Sequence, residues 1–422
     1  MKTRLMRIYI VILFLGIGAL GLRAGTVNVC ADCPVKTIKE GIRQAQAGDV
    51  VLIGSGLYAE GNIVVDKPLT LRGVNYPVID GQLTEEAFTI TADSVTIEGL
   101  KIQNSGHNQL KDLAAIRVQR TKGYIIRSNI LLNSYFGIYL EYAGAGEVYG
   151  NTIIGQAVTE ANAGNAIHAW YVQGVNISHN FLKGHRDGIY LEFVTHSFIH
   201  DNHSTGNVRY GLHYMFSNDD AYYCNTFDHN GAGVAVMFSK RIVMTDNYFE
   251  HNWGRASYGL LLKEITDADI ARNAFVSNTV GIMLEGASRI RYQNNQFKSN
   301  GWAVQVTGGC EDNNFIANNF LSNALDLVIN GRLNSNTFDG NYWSEYNGYD
   351  LDRDGRGDVP HRPVKLFSYI ISQSPESIIL LRSFFVDLLN FSEKVSPALT
   401  PDNVLDNMPL MEEAQWAVGS RR

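Results

Sequence analysis

A five-residue phrase returns at a near-constant interval in the middle of this chain: Gly188-Ile-Tyr-Leu-Glu192, Gly211-Leu-His-Tyr-Met215, Gly233-Val-Ala-Val-Met237 and Gly259-Leu-Leu-Leu-Lys263. The glycines are 23, 22 and 26 residues apart, and Gly137 and Gly281 extend the column in both directions. A short strand-forming unit cannot bury its apolar face alone, so units repeated at this period must stack on one another. Propeller repeats are about twice as long, and sandwich strands keep no such period. The spacing therefore predicts an all-β chain, a right-handed parallel β-helix of about 22-residue coils.

Asparagine marks a second constant point, in Asn180-Phe181, Asn225-Thr-Phe227, Asn247-Tyr-Phe249, Asn273-Ala-Phe275, Asn295-Gln-Phe297 and Asn336-Thr-Phe338. Asparagine tolerates turn conformations, and its amide both donates and accepts, so stacked copies predict a ladder along the axis with the phenylalanines piled inside. From Ile53 to Asn341 there is room for roughly 13 coils, a rod on the order of 60 Å long at ~4.8 Å per strand.

The ends differ from the middle. Lys2, Arg4 and Arg7 precede an apolar run from Ile8 to Leu20, with Ala24 as the small residue at a cleavage point. This is the pattern of a secretory signal, too short to span a bilayer. Residues 1–24 are therefore expected to be removed, 25–345 to form the solenoid and 346–422 to form a turn and a helical or extended tail. Loss of Lys2, Arg4, Arg7 and Arg23 takes the formal charge from −7 to −11. So acidic a chain excludes nucleic acid as partner, because phosphates need a basic face. Export also bears on Cys30-Ala-Asp-Cys33, which reads as a tight disulfide or a redox-idle pair before it reads as a soft-metal pair. Cys224 and Cys310 lie alone in different coils.

Ile38, Ile42 and Ala45 share one face of a short helix predicted over Thr37–Gln46, placed to cap the open N-terminal coil. An insertion between Glu147 and Asn165 stretches one coil, as loops on a solenoid's working face do. Beyond the last coil, Asp350, Asp352 and Asp354 alternate before Gly355, with Asp358 following. That is the first half of a calcium loop without its closing glutamate; the other reading is an acidic turn paired with Arg353 and Arg356. The tail then becomes apolar with helical spacing. Phe384, Phe385, Leu388 and Leu389 form a patch suited to a membrane partner, and Pro397–Arg422 reads as an extended or disordered end.

Long phrases in this chain resemble the NosD family, exported accessory proteins for maturation of the copper enzyme nitrous oxide reductase. They are Gly184-His-Arg-Asp-Gly-Ile-Tyr-Leu-Glu-Phe193, Arg209-Tyr-Gly-Leu-His-Tyr-Met-Phe-Ser217, Asn230-Gly-Ala-Gly-Val-Ala-Val-Met-Phe-Ser239 and Gly259-Leu-Leu-Leu-Lys-Glu-Ile265. Val78-Ile-Asp-Gly81, the Asp350–Asp358 turn and Ser383-Phe-Phe-Val-Asp-Leu-Leu389 carry the likeness to both ends of the mature chain. The resemblance implies a periplasmic, non-enzymatic β-helix. It would work with an ABC-type transporter, through the transporter's membrane subunit, and with a copper chaperone, to build the reductase's copper centre. The Cys30/Cys33 pair lies outside that family pattern.

Strand alternation places candidate ligands. Ile189, Leu191, Val234, Val236, Leu260 and Leu262 must point inward, so the second and fourth residues after each glycine point outward. The fourth-position column is Glu141, His168 (counted from Gly164), Glu192, Met215, Met237, Lys263 and Glu285, with His213 in the second position. His213, Met215 and Met237, with His168 further along, offer imidazole and thioether ligands that suit Cu(I). The plainer reading makes the methionines an apolar contact under the tail or a partner. The rival function is a carbohydrate-active lyase or epimerase using His185, Arg186, Asp187 and Glu192. Against it, Arg186 and Arg209 read as a structural ladder of arginines on acids. A metal-free docking scaffold is the third reading.

Overall fold

In the computed structural model, residues 24–107, 111–254, 256–330, 335–396 and 404–415 are described; the expected signal segment lies almost wholly outside them. Each coil contributes one strand to each of three parallel sheets, as in Ile125–Arg127, Ile130–Leu132 and Phe136–Glu141. Among the described residues the first sheet has 13 strands, the second 13 and the third 12, each strand paired with its equivalents in the neighbouring coils. The predicted parallel β-helix is the fold. Ile189, Leu191, Val234, Val236, Leu260 and Leu262 are fully buried, as the alternation required.

Buried amides run along the corner between the first and second sheets. From Asn129 through Asn151, Asn180, Asn202, Asn225, Asn247, Asn273, Asn295 and Asn318 to Asn341, each side-chain Nδ2 donates to the Oδ1 of the next coil at 2.9–3.1 Å. A second ladder, Asn207 to Asn323, follows the corner between the second and third sheets. Each satisfied amide adds about 1 kcal/mol, and an orphaned one would cost about 1–3 kcal/mol. Inside, Phe227, Phe249, Phe275, Phe297, Phe320 and Trp343 stack at centroid spacings of 4.1–5.5 Å. Two members of the predicted series behave differently. Phe181 sits one residue nearer its asparagine, so it points outward against His203 while Leu182 takes the interior place. Phe338 stacks on Phe315 in another column, because Asn336 bonds the backbone of Asn313 rather than joining the main ladder.

Both ends are closed. Helix α1 (Ile38–Gln44) is capped by Thr37 and buries Ile38 and Ile42, with Ala45 beside them, against the first coil. Cys30 and Cys33 form a disulfide in the turn before it. At the other end, helices α2 (Leu366–Gln373) and α3 (Phe384–Val395) fold back onto the outer face of the third sheet. There Phe367, Ile371 and Val386 cover Leu325 and Val328. The segment 404–415, expected to be extended or disordered, is instead packed on the last coil. Asp406 accepts bonds from the backbone N–H groups of Gly340 and Asn341 and from the Trp343 indole N–H, and Leu410 pairs with Tyr342. The buried, donor-rich site for Asp406 explains the order. Among the described residues no helix is long and apolar enough to cross a membrane.

Candidate metal-binding face

The outer face of the third sheet collects the chain's unusual side chains, and strand pairing fixes their register. Glu192, Met215, Met237 and Lys263 are consecutive partners in one column, and Trp170 precedes Glu192. His168 is not in that column. It pairs with Tyr139 and Tyr190, and Tyr190 pairs with His213. The residue equivalent to Gly188 in its coil is Ala166, not Gly164, because the insertion displaces the glycine. The corrected second-position column is thus Tyr139, His168, Tyr190, His213, whose rings follow one another at 4.6–4.8 Å.

His213 is 4% exposed, and its Nδ1 lies 3.8 Å from Asp187 Oδ2. Asp187 is fully buried and clamped by Arg209 at 2.9 and 2.5 Å. Burial pushes the Asp187 carboxyl up, but the hydrogen bonds from Arg209, with His213 close by, outweigh it and hold it at about 2. Burial lowers His213, so its imidazole is neutral. The Nε2 atoms of His168 and His213 are buried without a hydrogen-bond partner. Nδ1 of His213 faces the Arg209–Asp187 pair, 3.5 Å from Arg209 Nη2, so the ring is held from one side while Nε2 has no partner. Two residues along the same strand Met215 stands half-exposed, and Met237 stands half-exposed in the adjoining strand. The tail helices pack on Leu325, Val328 and Trp302, further along the rod. This donor set, an unsatisfied imidazole beside two accessible thioethers, fits a soft cation.

Beside the methionines, Tyr142, Tyr171, Phe193, Phe216 and Phe238 form an exposed stack at 4.6–5.3 Å along the corner. All five have φ near +50°, a conformation aromatic residues rarely adopt. Arg120 and Glu264 take the same backbone at the equivalent corner positions, so the turn itself does not demand an aromatic. Sequence reasoning missed this stripe; the aromatic one residue beyond each phrase was its signal.

The four residues of the rival catalytic cluster do not converge. His185 is buried below the insertion, in a small cavity with His107, Tyr135 and Gly164, and burial lowers it to about 4. Asp187 is committed to Arg209, as the structural-ladder reading requires. Glu192 stands apart beside an open cleft of about 640 Å³ with Glu86, Arg117, Glu141 and His168. In that cleft Arg117 pairs with both Glu86 (2.6 Å) and Glu141 (3.0 Å).

The acidic turn brings Asp350, Asp352 and Asp354 together, with ligand oxygens within 4.8 Å of one another. Asp350 also accepts from the backbone N–H groups of Arg353 and Gly355. Asp358 does not join them: its Oδ2 accepts from Leu351 N at 2.6 Å and props the loop. On α3, Phe384, Phe385 and Leu388 face outward at 80%, 48% and 50% exposure, whereas Leu389 turns toward the rod. Helical spacing puts Phe391 and Val395 on the outward face in its place.

Among curated proteins, 378 residues align at 31% identity with "Probable ABC transporter binding protein NosD" of Pseudomonas aeruginosa, covering 85% of this chain and 87% of that one. The chain belongs to the NosD family. The family description, "Periplasmic copper-binding protein (NosD)", matches residues 150–348, which contain His168, His213 and both methionines. The NosD protein of Stutzerimonas stutzeri is 29% identical over 374 residues, 84% of this chain and 85% of that one. Solved structures share the fold at lower identity. The catalytic unit of an α-1,3-glucanase from Streptomyces thermodiastaticus has a TM-score of 0.64 at 16% identity, over 78% of this chain and 71% of that one. An exopolygalacturonase of Yersinia enterocolitica has 0.55 at 12%, over 75% and 78%.

Proposed function

We propose that this NosD-family chain is a periplasmic accessory protein that handles copper for maturation of nitrous oxide reductase, and that it is not itself an enzyme. The observation that carries the reading is the pairing of an imidazole whose Nε2 is unsatisfied (His213), held beside the Arg209–Asp187 pair, with two half-exposed thioethers (Met215, Met237) on one sheet face. Copper is cargo here. Met215 and Met237 receive it as Cu(I), His213 supplies the nitrogen, and His168 lies two coils along the adjoining column. Thioethers bind the reduced ion and hold it loosely enough to pass on. The copper chaperone approaches over the exposed aromatic stripe that borders the methionines. The ABC transporter's membrane subunit docks on the outward face of α3, which lies on the same side of the rod. Calcium held by Asp350, Asp352 and Asp354 pins the junction between rod and tail.

The test is the Met215→Ala/Met237→Ala double variant. Its expected phenotype is a folded protein that loses Cu(I) on gel filtration and fails to support a copper-loaded reductase. Unchanged retention and maturation would reduce the face to a packing surface. One observation favours the enzyme instead: Glu192 lines the cleft with its carboxyl raised by burial, as a general acid would be. Release of sugar or unsaturated product by the purified chain would establish that reading.

A further inference from the structure

On the far side of the rod from the methionines, three metal-binding side chains meet at the corner between the first and second sheets. His179 and Asp201 hold the same corner position in successive coils, with φ of 56° and 52°, and each immediately precedes a ladder asparagine, Asn180 or Asn202. Their backbone is thus locked by buried hydrogen bonds while their side chains swing into solvent. His200 ends the strand Phe198–His200, its ring stacked on Tyr223 at 4.9 Å and 1°. His200 Nδ1 is 2.7 Å from Asp201 Oδ2, and His179 Nε2 is 4.0 Å from that same oxygen. One ligand atom from each residue lies within 4.8 Å of the other two.

We infer that His179, His200 and Asp201 form a second metal site, for a divalent ion of the Cu2+ or Zn2+ kind. Two imidazoles and a carboxylate make a borderline donor set that prefers such ions, whereas the thioether face suits Cu(I). Metal–nitrogen bonds of about 2.0–2.1 Å require the present spread to close slightly. The side chain of His179 is 64% exposed and supplies that movement by rotation about its side-chain bonds. The ion takes the place of the hydrogen bond between His200 Nδ1 and Asp201 Oδ2, and the neutral ring then carries its single N–H on Nε2. The exposed, free Cys224 occupies the same corner position one coil further on, next to Asp201. Its Sγ lies outside the 4.8 Å group and joins as a fourth ligand only if its side chain rotates; water fills the remaining positions. The inference does not depend on the copper-handling role, because it concerns different residues and a different oxidation state.

The experiment titrates the full, untagged, chelator-stripped chain with Cu2+ alone and follows electron paramagnetic resonance. The wild type is expected to bind one Cu2+ with nitrogen couplings from two imidazoles. His179→Ala and Asp201→Ala should each weaken binding at least about tenfold. His200→Gln, which keeps a hydrogen bond to Asp201, should remove one nitrogen coupling. Cys224→Ser reports whether sulfur joins, through loss of any thiolate charge-transfer band. The Met215→Ala/Met237→Ala variant should bind Cu2+ like the wild type. The inference is overturned if wild type takes up no Cu2+, or if the His179→Ala/His200→Ala double variant, folded by circular dichroism, binds it with unchanged affinity and spectrum.

Discussion

Asp187 has no exposed surface and still carries a charge, because Arg209 presents two N–H groups to it. Its folded-state pKa of about 2 lies below the roughly 3.9 of an unfolded aspartate. The pair's contribution to stability is therefore present above about pH 4 and is lost as pH falls through about 2. Wild type should lose stability across that window more steeply than Asp187→Asn, measured by chemical denaturation at pH 2–5. A parallel pH dependence in the two proteins would assign the acid sensitivity elsewhere. At this scale the sequence is readable where a residue's role repeats. Asparagine spacing locates the ladder because each amide must meet its copy one coil away. His168 is misplaced from sequence because an insertion carries Gly164 out of the column, and only strand pairing reveals Ala166 as its equivalent. The His179–His200–Asp201 group has no sequence signature, since its members come together only when two coils stack.

Among the elements, α3 is where helical periodicity succeeds and burial decides the details. The apolar spacing predicts a helix, yet which side faces the rod depends on where Leu325 and Val328 present a surface, and so Leu389 is drawn inward. Truncation before Leu366 would also remove Asp406 and unseal the last coil, so docking is better tested by Phe384→Ser/Phe385→Ser/Leu388→Ser. These outward changes should leave the melting temperature nearly unchanged while abolishing co-purification with the transporter's membrane subunit. Retained co-purification would move the docking surface off α3. The acidic turn makes a separate forecast. Millimolar calcium should raise the melting temperature through mass action, and Asp350→Ala/Asp352→Ala should remove that response. Identical melting with calcium and with chelator would leave the loop held only by its own backbone bonds. Among the described residues, the long connections after Asp80, Gln103, Ile154 and Glu250 all leave from the corner between the second and third sheets. The sequence shows that coils are interrupted, but the shared corner follows from which strands each loop connects.

For the whole molecule, contacts run almost entirely between adjacent coils, so stability adds along one dimension and the ends control the rest. Asp406→Ala would strip the acceptor from two backbone N–H groups and the Trp343 indole, at about 1–3 kcal/mol for each group left buried and unbonded. Hydrogen exchange should rise in 319–343 and stay unchanged before about residue 250; uniform acceleration would mean the rod unfolds as a single unit. The ladder that Asp406 ends also has a direction. Every amide from Asn129 to Asn341 points its oxygen toward the N-terminal end and its nitrogen toward the C-terminal end, so ten small dipoles lie head to tail. Such a file has a positive terminus, and a carboxylate is the group that can meet it while offering no donor to a further coil. The same carboxylate acts as a full stop: another copy of the chain arriving at this end finds no amide to continue. The amide ladder is thereby closed by the chain's own carboxylate rather than left open for another coil.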